Sequence, residues 1–226
     1  MKNIENNSVD NILDSCQDVY FNHFLVNNIK NLDIVANIMS YPRKDFLPEK
    51  LKSLCSCDGV ICYKPNRYLL DMITIARMLR LINTNSSTNK AVVIGSGVGY
   101  LSAIISKYFA NIVAIDIDSQ LTTESQNVFL HLGINNVSFK NNNYNEITEE
   151  NCDYIFVEGA FEDVDPLWIQ SLNINGKIIG IKRFRNISKL AEIIKTSSNN
   201  NFVLKEYEQN SVPLLHGLKA NSKFIF

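Results

Sequence analysis

The chain has no apolar run near the roughly 20 residues needed to cross a bilayer, so no membrane-spanning helix is expected. It begins MKNIENNSVD, polar and acidic where a secretory leader is basic and then apolar, so no leader is expected either. There is no excess of one charge: 22 Lys and Arg stand against 23 Asp and Glu, a net −1. The cations are dispersed except at Lys182, Arg183 and Arg185, which argues against nucleic acid as a partner. Cysteine is sparse and odd in number, five in all, which excludes a secreted disulfide framework and points to a reducing cytoplasm. Cys55, Cys57 and Cys62 lie close together, but C-x-C-x4-C is no common zinc spacing and no histidine is near. No metal is expected. Repeats and long linkers are also absent.

What remains is ordinary globular material: 226 residues, 46% hydrophobic and 20% charged, enough for one α/β domain with a small extension. The abundance of Asn and Ile reads as base-composition bias in the gene. The most organised stretch is AVVIGSGVGYLSAIISKYFANIVAID, residues 91–116. Ala91 to Ile94 reads as a strand buried on both faces. Gly95-Ser96-Gly97-Val98-Gly99 turns sharply, and Leu101, Ile104, Ile105 and Tyr108 then share one helical face. A second strand, Ile112–Ile115, ends in Asp116. This is the opening βαβ unit of a nucleotide-binding sheet, in which a terminal acid about twenty residues on accepts ribose hydroxyls.

The spacing also excludes. Tyr100 stands where the dinucleotide fingerprint needs a small residue, which disfavours NAD, and no Lys followed by Ser or Thr closes the loop as a phosphate cradle requires. G-x-G-x-G followed by an acid is the pattern for S-adenosyl-L-methionine (SAM).

Along the rest of the chain, helices are expected over residues 11–40 in two pieces, one with Ile12, Cys16 and Val19 on its face and one with Leu32, Val35 and Ile38. Tyr41-Pro42 ends the second. Cys55–Pro65 reads as extended or irregular, Tyr68, Met72, Ile73, Ala76 and Leu79 as a helix stripe, and Asn83–Asn89 as a polar loop. After Asp116, a helix capped by Asp118 or Ser119 and closed at Gly133 leads to a strand at Val137–Lys140. A strand at Tyr154–Val157, a short helix at Pro166–Leu172 and a strand at Lys177–Ile181 follow. Ile187, Leu190, Ala191 and Ile194 mark a further helix, and Phe202–Tyr207 and Lys223–Phe226 the last strands. The fold class is a Rossmann-like, doubly wound, mostly parallel sheet. Residues 1–80 are expected to form a helical N-terminal extension packed on a cofactor domain at 81–226.

Several stretches together resemble the protein-L-isoaspartate O-methyltransferase family. Pro42-Arg43-Lys44-Asp45-Phe46-Leu47-Pro48 resembles its P-R-E-x-F-V-P segment, and VVIGSGVGYLSAIIS its first SAM motif. CDYIFVEGAFEDVDPLWIQSLNINGKIIGIKR resembles the stretch from its fourth strand onward. Arg67-Tyr68-Leu69-Leu70 and Pro213-Leu214-Leu215-His216-Gly217 resemble a bacterial branch with R-Y-L-(M/L) and P-L-L-x-G. The resemblance implies a class I SAM-dependent methyltransferase that esterifies the carboxylate of isoaspartyl residues in damaged proteins. It implies that the backbone of Gly95, Ser96, Gly97 and Gly99 faces the methionine end of SAM and that Asp116 holds the ribose. Asn142 and Asn143 occupy the family's Gly-Asp, whose acid contacts the adenine amino group. Glu158 begins the loop over the sulfonium, with a solvated loop acid as the plainer alternative.

One departure concerns the acceptor. The family carries a serine in Q-T-I-S-x-P; one register puts Leu70 there and another Tyr63, and no Ser or Thr lies between Ser56 and Thr74. Arg67 offers a carboxylate-orienting group, although a solvated arginine at a helix start is the plainer expectation. Tyr68 is expected in the core, His23 and His131 in structural roles, and His216 near the site; no catalytic side chain is assigned. The other readings are a SAM-binding protein without transferase activity, transfer to a small-molecule acceptor, and an NAD(P) oxidoreductase, which Tyr100 opposes.

Overall fold

The computed structural model describes residues 19–57, 59–83 and 90–218. The expected helix carrying Ile12 and Cys16, the strand Lys223–Phe226 and most of the loop before the sheet lie outside these residues.

The core of the fold is a seven-stranded sheet. In chain order its strands are β3 (Lys90–Ile94), β4 (Asn111–Asp116), β5 (Val137–Asn141), β6 (Cys152–Phe161), β7 (Leu172–Phe184), β8 (Ile187–Lys195) and β9 (Phe202–Gln209). Their spatial order is β5-β4-β3-β6-β7-β8-β9. The first five pair in parallel, and β8 and β9 continue the sheet antiparallel. Ala91, Val92, Val93 and Ile94 of β3 are wholly buried, as a central parallel strand covered on both faces must be. From β3 the chain moves outward to β4 and β5, then returns to place β6 on the other side of β3. That reversal opens a crevice at the carboxyl ends of the strands, where open α/β sheets bind ligands.

The helices α3 (Tyr100–Ile105), α4 (Ser119–Leu132) and α5 (Pro166–Ser171) flank the sheet. Asp118 caps α4 by accepting from the amides of Gln120 and Leu121 at 3.0 and 3.2 Å, and Gly133 closes it at φ 67°. Before the sheet come a π-helical turn (Tyr20–Leu25), α1 (Leu32–Met39) and two 3-10 turns (Arg43–Phe46 and Glu49–Leu54). The hairpin of β1 (Ile61–Lys64) and β2 (Arg67–Leu69) and the helix α2 (Met72–Leu79) follow. Asn31 caps α1 through the amides of Asp33 and Ile34 at 3.0 and 3.2 Å. Val35 and Ile38 join the same apolar cluster as Leu101, Ile104 and Phe156, and Asn37 donates to the Ile104 carbonyl at 2.9 Å.

Two expectations are corrected. Ile187–Ile194 is a strand, not a helix: the two-residue turn Arg185-Asn186, with Arg185 at φ 53°, pairs Phe184 with Ile187 and returns the chain along β7. Leu190, Ala191 and Ile193 are all fully buried, so a strand covered on both faces imitates the helical spacing. Tyr68 belongs to β2 and is half-buried, because α2 begins only after Asp71, whose carboxylate accepts from the Thr74 amide at 2.7 Å. The described stretch from residue 19 to residue 80 is therefore a helical extension interrupted by a β-hairpin. Among the described residues, no helix is long and apolar enough to cross a membrane.

Candidate active site

The glycine turn after β3 takes left-handed backbone at Gly95 (φ 75°), Gly97 (φ 50°) and Gly99 (φ 85°), conformations in which a Cβ is strained. The turn is tied to β4. Gly95 and Ser96 donate to the Ile115 carbonyl at 2.9 and 3.1 Å, and the Gly97 amide donates to Asp116 Oδ2 at 2.8 Å. Asp116 Oδ1 accepts from the Asp118 amide at 2.9 Å and also from Arg67 Nη2. Asp116 is thus fixed at the end of β4, where the nucleotide-binding pattern needs an acid.

Arg67 corrects the plainer expectation for that residue. It sits in a strand at 4% exposure, because the turn at Pro65-Asn66, with Asn66 at φ 58°, folds β2 inward against the end of β4. Its Nη1 donates to the Tyr144 hydroxyl at 3.3 Å. Burial works against the guanidinium charge, but Asp116 and Tyr144 outweigh it and hold its pKa up. Burial also pushes the Tyr144 hydroxyl up to about 12.

Glu158 is not a solvated loop acid. Between Phe156 and Ala160, β6 bulges against β7, so that Val157, Glu158 and Gly159 stand opposite Gly180. The bulge places Glu158 at 6% exposure on the wall of the crevice. Burial, then the neighbouring Asp116, pushes its carboxyl well above the usual range; the Leu101 amide and Arg67 act in the opposite direction. Among the described residues, its Oε2 has no hydrogen-bond partner, and neither does the buried Ser96 Oγ on the glycine turn.

The crevice brings Gly95, Glu158 and Arg67 together with Tyr63, Leu70 and His216. Tyr63 and Leu70, the two residues that competing registers set at the family's serine, line the same space. Asn142 and Asn143 turn away from it. Asn142 is half-buried and donates to the Glu146 carbonyl at 2.9 Å; Asn143 is exposed and donates to Glu146 Oε1 at 3.0 Å. The Asn142 amide nevertheless ties this loop to the Asp116 carbonyl at 3.1 Å.

Sequence reading missed Leu215 and Tyr144. Leu215 reaches the glycine turn because Pro213–Leu215 is laid along the β6 bulge: Ala160 donates to the Pro213 carbonyl at 2.9 Å, and Leu215 donates to the Ala160 carbonyl at 2.8 Å. Its Pro-Leu-Leu-x-Gly context was the available signal. Nothing local marks Tyr144.

The chemistry of this set fits a ligand with vicinal hydroxyls and a cationic centre. Asp116 is an acceptor for the hydroxyls, and Glu158 supplies a buried, unpartnered oxygen for the cation. The glycine turn carries no Cβ of its own at Gly95, Gly97 and Gly99, and neighbouring side chains cover it. A Cβ at Gly95 would strike Leu215, and one at Gly97 would strike the Tyr63 hydroxyl. The crevice itself holds only about 20 Å³, room for a single water-sized group, and a larger hollow of about 420 Å³ opens beside it between Lys64, Arg67, Ile117, Asp118 and His216.

Comparison with known proteins gives the family and the fold. The family profile described as protein-L-isoaspartate(D-aspartate) O-methyltransferase matches residues 21–218. A protein-L-isoaspartate O-methyltransferase of Methylobacillus flagellatus is 24% identical over 193 residues, covering 84% of this chain and 86% of its own. One from Helicobacter pylori is 22% identical over 216 residues, covering 94% and 100%. Among solved structures, a Plasmodium falciparum protein-L-isoaspartate O-methyltransferase in complex with S-adenosyl-L-homocysteine superposes with a TM-score of 0.70. It has 19% identity and covers 92% of this chain and 97% of its own.

Proposed function

The chain belongs to the protein-L-isoaspartate(D-aspartate) O-methyltransferase family, and from that premise we propose that it methylates the carboxylate of isoaspartyl residues in damaged proteins. It is a SAM-dependent methyltransferase. The observation that carries the proposal is the Asp116 carboxylate, held by the Gly97 amide at the reversal of the sheet, where a ribose-binding acid belongs.

We assign the cofactor contacts as follows. The backbone of Gly95, Ser96, Gly97 and Gly99 receives the methionine end, Asp116 the ribose hydroxyls and Glu158 the neighbourhood of the sulfonium. Asn142 and Asn143 serve the adenine amino group, which requires their side chains to rotate away from Glu146. When bound, SAM supplies an activated methyl group. The acceptor carboxylate would take that methyl through an oxygen lone pair as the bond to sulfur breaks, with no proton transfer required. The protein has then to orient the carboxylate and keep water out.

The family's serine is absent, but two groups on the crevice wall suit the orienting task. The Tyr63 phenol offers a hydroxyl, and Arg67, once released from Asp116, offers a two-pronged donor for a carboxylate. No single catalytic side chain is needed for a displacement of this kind.

The resulting ester promotes succinimide formation and return to aspartate, so the proposed role is protein repair, on protein or peptide substrates. A net charge of −1 supports the exclusion of nucleic acid from this role. The free thiols of Cys55, Cys57, Cys62 and Cys152 support a reducing cytoplasm. We retain the division at residue 80, with 1–80 packed on the SAM-binding part, 81–226. The shared apolar cluster of Val35, Ile38 and Ile104 supports treating the two as one structural unit.

The test is transfer of labelled methyl from SAM to an isoaspartyl peptide and to its normal-aspartyl twin. Transfer to the isoaspartyl peptide alone is the expected result. Tight SAM binding with transfer to neither peptide would refute the acceptor assignment.

A further inference from the structure

We infer that Glu158 makes the cofactor site selective for charge: its carboxylate takes up the sulfonium charge, sheds its proton in doing so, and holds the neutral thioether product less tightly. The inference rests on the proposed use of SAM and goes beyond it, because it assigns a discrimination between cofactor and product to one side chain.

The geometry supplies the reasons. Glu158 Oε2 is buried on the crevice wall with no hydrogen-bond partner among the described residues. The Leu101 amide of α3 supports the carboxylate from behind. The charged and titratable groups that face it come from every neighbouring element: Asp116 from β4, Arg67 from β2, Tyr63 from β1, Tyr100 from α3, and His216 from the loop on the same crevice. Among the described groups that face it, only Arg67 is a permanent cation, and its guanidinium is committed to Asp116 and Tyr144. An ionised Glu158 would leave the cluster with two negative charges against one positive. Without a further cation, an isolated buried carboxylate keeps its proton.

One added positive charge restores balance. The sulfonium is joined to the ribose through a single methylene, so a ribose on Asp116 brings that charge to the Glu158 side of the glycine turn. The α-ammonium lies several bonds farther along. Binding the sulfonium thus exchanges a proton on Glu158 for a cation beside it. The thioether product carries no such charge and finds a protonated, neutral wall.

The experiment is titration calorimetry of SAM and of S-adenosyl-L-homocysteine with the full chain, between about pH 6 and pH 8, in two buffers that differ in protonation enthalpy. The variants are Glu158→Gln and Glu158→Thr. The α-amino groups of both ligands titrate as well, and the Gln variant supplies their baseline. For the wild type we expect about one more proton released with SAM than the variant releases. We also expect a SAM-to-product preference rising toward tenfold per pH unit. In Glu158→Gln the preference should be flat with pH.

If both ligands gain affinity equally with pH, Glu158 pairs with the shared α-ammonium and the inference is overturned. If the wild type prefers SAM without any proton linkage, it is overturned too. That arm needs only the wild type and so survives a variant that fails to fold. Binding of neither ligand would overturn the SAM reading itself, a different result from binding without discrimination.

Discussion

The guanidinium of Arg67 closes on the carboxylate of Asp116 across the mouth of the crevice, and both side chains are almost wholly buried, at 4% and 0% exposure. The acid that should hold a ribose is therefore already occupied, by the Gly97 and Asp118 amides on fixed backbone and by Arg67 on a movable side chain. A ribose competes with the last of these only. The same pair thus closes the crevice and, in the proposed complex, offers an acceptor once opened.

Those functions separate in a pair of variants. Asp116→Ala removes charged acceptors worth about 1.5–3 kcal/mol to a ligand, so SAM affinity should fall about ten- to a hundredfold. It also leaves the Arg67 charge buried without its partner, a loss of about 3–5 kcal/mol in stability. Adding Arg67→Met should restore most of the stability and none of the affinity. Urea unfolding and calorimetry read the two quantities independently. Equal stability of Asp116→Ala and wild type would mean that the pair is not a buried ion pair in solution.

The glycine turn gives a steric prediction. Gly97 has φ 50°, and a Cβ there would overlap the Tyr63 hydroxyl. Gly97→Ala should cost about 1 kcal/mol for the backbone and about 1–3 kcal/mol more for the overlap. Tyr63→Phe in the same chain removes the offending oxygen, so it should recover the second part and leave the first. Melting temperatures of the two single variants and the double variant decide it; strict additivity of the two changes would count against contact between these residues.

Glu158 gives a pH dependence in the absence of cofactor. Its carboxyl is held well above the ordinary 4.5 by burial and by Asp116. Above about 4.5 the folded chain then carries a proton that the unfolded chain has lost, so stability falls as pH rises, by up to about 1.4 kcal/mol per unit. Glu158→Gln cannot ionise and escapes that fall. The variant should match the wild type near about pH 4 and exceed it at about pH 8. Denaturant midpoints across that range test the sign: a variant less stable than wild type at the upper end contradicts it.

The parts of this picture that could be read from the chain are those where local pattern and tertiary role coincide. Ala91–Asp116 was legible because the period changes from a buried run to a helical stripe at the Gly95–Gly99 turn, and Asp116 ends a strand. The cap at Asp118 and the stop at Gly133 were legible for the same reason. In β8, Ile187, Leu190, Ala191 and Ile194 have helical spacing by coincidence, and only pairing along β7 reveals a strand. β2 has three residues, too few to show a period, so the sequence alone presents Arg67 and Tyr68 as the start of a helix. The Arg67–Asp116 pair spans 49 residues and leaves no trace in local pattern. Glu158 is turned to the crevice by a bulge that depends on the register of β6 against β7, which the residues of β6 alone do not specify.

The last prediction concerns Arg43, in the Pro-Arg-Lys-Asp-Phe-Leu-Pro segment. Its side chain is 3% exposed and donates to three backbone carbonyls: Cys57 at 2.6 Å, Gly59 at 3.0 Å and Leu70 at 3.2 Å. The first two precede the β1–β2 hairpin and the third follows it, so one planar guanidinium holds both ends of the element that carries Tyr63 and Arg67. Burial lowers its pKa, with Tyr100 and Asp71 opposing, so the charge is held against a desolvation cost by those three carbonyls. Lysine presents a compact ammonium and cannot reproduce the fork. Arg43→Lys should therefore cost about 2 kcal/mol, and Arg43→Met about 3–5 kcal/mol because three buried carbonyls lose their donor. The loss should be local. Amide hydrogen exchange in Arg43→Lys should accelerate over residues 57–70 while β3 and β4 keep their protection. In enzyme assays, KM for an isoaspartyl peptide should rise, because the loosened hairpin carries Tyr63 and Arg67, the two groups proposed to orient the acceptor carboxylate. Uniform acceleration of exchange across the whole sheet would instead show that Arg43 supports the global fold, and the hairpin would lose its status as an independently held wall.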